Sequence, residues 1–90
     1  MPDAHFQVCG KVQGVGFRWF VRVAARRLQL AGWVMNRKDG TVEIAASGPQ
    51  EKLDQLRRQL ARGPDGALVE QVKDLDPLQE GLEFPFAMRK

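Results

Sequence analysis

An α+β sandwich, with two helices laid on one face of an antiparallel sheet, is predicted by three observations on the sequence. Residues 5–12 alternate between apolar and polar positions. Residues 17–28 and 50–60 carry apolar side chains at the helical period. Between those helices, an Asp39-Gly40 pair separates two short β-prone runs, the pattern of a hairpin.

Taken in order, Phe6, Val8 and Val12 face one side of the first strand, and His5, Gln7, Cys9 and Lys11 the other. One wet face argues for a sheet covered on one side only. From Phe17 the period changes, because Phe17, Phe20, Val21, Ala24, Ala25 and Leu28 form the apolar stripe of a helix whose other faces carry Arg18, Arg22 and Arg26. Gly32 ends that connection. "GWVMNRKDGTVEIAASG" then reads as strand 33–37, a turn at Asp39-Gly40 and strand 41–46. Pro49 suits the first position of a second helix, where its missing N–H costs nothing, and Leu53, Leu56 and Leu60 supply its buried stripe until Gly63-Pro64 stops it. Residues 67–75 are rich enough in Val and Leu for a fourth strand. Leu82, Phe84, Phe86 and Met88 alternate, with Pro85 confining this last short strand to a sheet edge. The order βαββαβ plus a C-terminal edge strand is the ferredoxin-like two-layer arrangement, since crossover connections have a fixed hand.

Its 90 residues are expected to form one domain, residues 1–90. The chain contains no run of about 18 apolar residues that could span a membrane, and it does not open on an apolar targeting segment. A soluble, cytoplasmic, monomeric protein is therefore expected. The single cysteine, Cys9, cannot close an internal disulfide. With His5 as the sole histidine there is no thiolate and imidazole cluster for zinc, so neither metal nor cofactor is expected.

The net charge of +3 is unevenly spread. Of the 11 acids only Asp3 precedes Asp39, whereas Lys11, Arg18, Arg22, Arg26, Arg27, Arg37 and Lys38 crowd the first half. That half also holds "GKVQGVGFR", residues 10–18, a glycine-containing loop running into a helix. Successive loop N–H groups followed by a helix N-terminus make a pocket of positive partial charge that suits a phosphate, and Arg18 can clamp two of its oxygens. A cation in the first helical turn costs roughly 0.3–1 kcal/mol unless an anion lies beside it. Spacing alone leaves open a plain tight turn with a solvated arginine. The loop is neither a Walker A loop, since Val15 and Trp19 stand where its second glycine would be, nor a dinucleotide fingerprint, which Trp19 also breaks.

Residues 10–18 resemble the first signature of the acylphosphatase family, and "GWVMNRKDGTVEI" resembles its second, at the right separation. The likeness is close from about Phe6 to Gly48 and looser beyond. It implies that the backbone N–H groups of Gln13, Gly14, Val15, Gly16, Phe17 and Arg18, with the Arg18 guanidinium, hold the phosphate of an acyl phosphate. It implies that Asn36 orients the attacking water, and that inorganic phosphate is a product. Trp19, Met35 and Arg37 are small departures that bear on substrate fit.

The chemistry is consistent with that residue set, because the basic half offers no general base. An acyl phosphate expels a carboxylate with a pKa of about 4, which needs no proton from the protein, and a loose phosphoryl-transfer transition state demands positioning and charge stabilisation above all. Two other readings share the frame. An RNA-binding module would need a Phe/Tyr-rich sheet surface, which "TVEIAAS" lacks, so nucleic acid is not expected as a partner. A non-catalytic phosphate-binding domain would need the cradle but has no use for a water-holding asparagine.

Overall fold

The computed structural model describes residues 2–90, and its elements follow directly from the two hydrophobic periods. Strand β1 (Asp3–Lys11) buries Phe6 and Val8 against the helices, and its neighbour in sequence, helix α1 (Phe17–Arg27), buries Phe17, Val21, Ala24 and Ala25. The hairpin of β2 (Ala31–Asn36) and β3 (Val42–Ser47) supplies Val34, Val42, Ile44 and Ala46 to the same layer. Helix α2 (Gln50–Arg62) closes it with Leu53, Leu56 and Leu60, before β4 (Leu68–Leu75) and β5 (Ala87–Arg89) complete the sheet. The strand order is β4-β1-β3-β2-β5. This is the ferredoxin-like sandwich with both helices on one face.

Several details depart from the sequence reading. The sheet is mixed, because β5 lies parallel to β2, with Val34 opposite Met88. The hairpin strands stop at Asn36 and restart at Val42, one residue short of expectation on each side, so that residues 37–41 lie between them. Gly40 N–H donates to the Arg37 carbonyl (3.2 Å), and Arg37 N–H donates to Thr41 O (2.9 Å). Pro49 caps α2 from just outside it. The alternation through residues 82–88 is not a strand along its length. Only Ala87–Arg89 pair, Phe86 is fully buried, and Phe84 is 67% exposed. Having left β4 at one edge of the sheet, residues 76–86 must reach β5 at the other. They do so across the face opposite the helices, where Gly32 N–H donates to Glu83 O (2.9 Å) and Trp33 Nε1 donates to Glu80 (3.3 Å).

This crossing explains His5. Its phase does turn it away from the helices, but the strap covers it, leaving the residue 8% exposed with Nδ1 2.9 Å from the Asp76 carbonyl oxygen and Nε2 2.5 Å from Glu43. Glu43 in turn accepts from Arg37 Nη1 at 2.6 Å. The basic stripe of α1 is also less solvated than its sequence suggests. Arg26 Nε donates to Phe86 O (2.8 Å), and the Arg22 guanidinium stacks 4.4 Å from the Trp19 ring centroid.

Phe86 is thus the plug by which a three-residue strand is held. Phe86→Ala is expected to lower the free energy of unfolding by about 3–5 kcal/mol, read from urea denaturation. Phe84→Ala, at an exposed position, is expected to stay within about 0.5 kcal/mol of the parent.

Candidate active site

The chain leaves β1 with Val12 tucked into the core and must turn sharply to start α1. It does so through Gly14 (φ 76°) and Gly16 (φ 75°), both in the left-handed region that a side chain disfavours. A Cβ on either would meet nothing within 4 Å, so crowding does not explain the glycines; backbone conformation does. Gly16 is the N-cap of α1, with no side-chain cap and no acid in the first turn. Phe20 N–H makes the first helical bond, to Gly16 O (3.0 Å). Among the described residues, no backbone N–H from Gln13 to Trp19 donates to a protein acceptor. A run of free amides beside a helix N-terminus is a strong anion-binding surface.

Two further side chains meet this surface. Arg18, in the first turn of α1, donates from Nη1 to the Arg89 carbonyl at 3.0 Å, which fixes the guanidinium against the end of β5. Asn36 ends β2 on the helix-facing side, in register with Val42, and its Oδ1 is buried without a hydrogen-bond partner. Gly14, Gly16, Phe17, Arg18, Trp19 and Asn36 line one cavity of about 170 Å³, closed by Val12 and Met88. None of its lining residues is acidic. His5 stays bound on the opposite face of the sheet, roughly 20 Å of strand away from Lys11, and offers this cavity no base. Among the described residues no group of three His, Cys, Asp or Glu side chains is placed to hold a metal ion.

The loop residues expected to hold phosphate divide by place. Gly14, Gly16, Phe17 and Arg18 line the cavity itself, whereas the Val15 side chain packs against the core and lines a neighbouring groove. The Gln13 side chain does something its position in the sequence did not signal. Its Nε2 donates to Arg37 O (2.7 Å) and Thr41 O (2.9 Å), tying the loop to the hairpin. The hairpin is braced at its tip by Asp39, which accepts from Thr41 Oγ1 (2.6 Å) and Thr41 N–H (3.0 Å). The Thr41 hydroxyl bond, foremost, holds the Asp39 carboxyl below the usual carboxylate range.

Fold and cavity together define a ferredoxin-like protein whose β1–α1 loop and a buried, unpartnered amide side chain line one small cavity. A family model described as Acylphosphatase matches residues 4–84. The chain is 53% identical to an acylphosphatase of Koribacter versatilis over 75 residues, 83% of this chain and 68% of that protein. It is 48% identical to one of Nitratidesulfovibrio vulgaris over 82 residues, 90% and 82% of the two chains. A crystal structure of acylphosphatase from Bacillus subtilis superposes with a TM-score of 0.92 at 37% identity, covering 100% of both. The chain belongs to the acylphosphatase family, whose members hydrolyse acyl phosphates.

Because Gly16 is constrained by conformation and not by contact, Gly16→Ala is expected to cost about 1–2 kcal/mol in stability. Thermal unfolding checks this, and a mid-helix Ala24→Gly, with its different backbone cause, serves as the comparison.

Proposed function

We propose that this chain cleaves the carboxyl-phosphate anhydride of a small acyl phosphate, with the N–H groups of Gln13 to Arg18 and the Arg18 guanidinium holding the phosphate and Asn36 holding the water. The observation that carries the reading is the shared cavity. It brings free loop amides, a fixed guanidinium and a buried Asn36 Oδ1 with no protein partner to one place, although they come from separate β-α and β-β units.

The steps follow from the charges. The three phosphate oxygens sit among N–H donors and Arg18, which meet the charge carried by the loose transition state. Asn36 Oδ1 accepts a hydrogen bond from water and aims its oxygen at phosphorus. The new P–O bond forms as the P–O bond to the acyl group breaks, and the electron pair leaves with the carboxylate. The water proton passes to a phosphate oxygen, so the protein need supply no base. The products are a carboxylic acid anion and inorganic phosphate.

The same reading makes the chain a single-domain, cytoplasmic monomer with no nucleic-acid partner. In support, one hydrophobic cluster draws on both helices and on strands β1, β2 and β3. The sheet face that would stack bases is crossed by residues 76–86, and among the described residues no helix is long and apolar enough to cross a membrane.

Benzoyl phosphate hydrolysis, with a chelator present, tests the proposal. Arg18→Ala is expected to lower kcat/KM by about 100-fold or more and to weaken inhibition by inorganic phosphate. Asn36→Ala is expected to lower kcat by about 100-fold while phosphate inhibition stays within about threefold. Wild-type turnover in Asn36→Ala would remove the water-holding role. Phosphate binding without any turnover in the parent would reduce the site to a cradle.

A further inference from the structure

A second cavity, of about 370 Å³, lies in the groove between α1 and α2 and is not used by the chemistry above. Its floor and walls are largely apolar. Val15, Trp19, Phe20 and Val23 line it on the α1 side, with Gln59 of α2 opposite and Arg27 at the far end. Its volume falls within the range of small-molecule sites. Trp19, 56% exposed, is the largest side chain at its mouth.

Two residues belong to both cavities: Gly16 and Trp19. That continuity has a chemical direction. In the phosphate cavity, Asn36 and Met88 come from the neighbouring strands β2 and β5, while Gly16 and Trp19 come from the start of α1. In-line displacement puts the leaving group on the far side of phosphorus from the entering water. With water on Asn36, the carboxylate departs on the Gly16 and Trp19 side, and beyond those two residues lies the groove.

We infer that the groove between α1 and α2 is the acyl site of this enzyme and selects acyl phosphates whose acyl group is apolar and of medium length. This rests on the proposed placement of phosphate and water. From Gly16 to Val23 the helix rises about 10 Å, which matches an unbranched chain of about six carbons or a phenyl ring better than an acetyl group. Arg27 and Gln59 leave the outer end polar, so longer chains gain little. The selectivity arises from burial: each methylene that leaves water is worth up to about fourfold, less where the groove is open.

Steady-state hydrolysis of acetyl, butyryl, hexanoyl and benzoyl phosphates by the parent and by Val23→Gln tests it. The parent is expected to favour hexanoyl and benzoyl over acetyl phosphate by about 10-fold or more in kcat/KM. Val23→Gln, which places an amide in the groove without touching the phosphate cavity, is expected to remove most of that preference while acetyl phosphate turnover stays within about twofold. Gln59→Leu, on the other helix, guards against a folding defect in the first variant and is expected to raise hexanoyl phosphate kcat/KM by about two- to fourfold. Turnover of acetyl phosphate with no gain along the series, or equal loss for all four substrates in Val23→Gln, overturns the acyl site and leaves the hydrolytic reading standing. No turnover of any of the four by the parent overturns both.

Discussion

Two hydrogen bonds from the Gln13 side chain set the geometry on which the site depends. The loop that offers free amides and the strand that carries Asn36 belong to different supersecondary units, and each turns on its own glycine-containing bend. Gln13 Nε2 spans them, reaching Arg37 O and Thr41 O at 2.7 and 2.9 Å. An amide is suited to this, since its two N–H groups can satisfy two hairpin carbonyls at once. With the loop anchored there, the distance from cradle to Asn36 is fixed by short polar links and not by the compliance of the sheet.

A second constraint is electrostatic. Helix α1 begins with unpaired N–H groups, no acid and an arginine, an arrangement unfavourable for an isolated helix. The fold offsets part of that cost by giving the cations of α1 partners in and just before the last strand: Arg18 bonds to the Arg89 carbonyl and Arg26 to that of Phe86. Backbone carbonyls are well chosen for this purpose. They hold a guanidinium in place without cancelling its charge, so Arg18 keeps its full attraction for an anion. A carboxylate in the same position would have neutralised the site it was meant to support. Arg22 of the same stripe lies over the Trp19 ring, and Arg89 of β5 lies over Trp33 at 4.7 Å.

What could be read from the sequence was local. The alternation of β1, the helical stripes, the Asp39-Gly40 signal and the glycine loop each report the conformation of a few neighbouring residues, and each element but the last strand formed within a residue or two of its expected bounds. The cavity brings Gly14, Gly16, Phe17, Arg18 and Asn36, which come from both motifs, to one place. What the sequence withheld depends on the path of residues far along the chain. His5 looked wet because the strap that covers it comes from residues 76–86, whose alternation imitated a strand. The parallel pairing of β5, the Arg89 carbonyl behind Arg18 and the shared wall of Trp19 are consequences of that same crossing or of helix packing. A backbone carbonyl carries no residue-type signature, so no motif could have announced it.

The central claim, that the free amides at the β1–α1 junction bind the phosphate and that Asn36, in the same cavity, serves the water and not the phosphate, is tested most directly by amide-resolved NMR during titration with inorganic phosphate. The account predicts that the backbone N–H signals of Gln13 to Trp19 and the Arg18 guanidinium move the most, with the same pattern and affinity in Asn36→Ala. Shifts centred instead on the arginines of α2, such as Arg58 and Arg62, or abolished by the loss of Asn36, would contradict it.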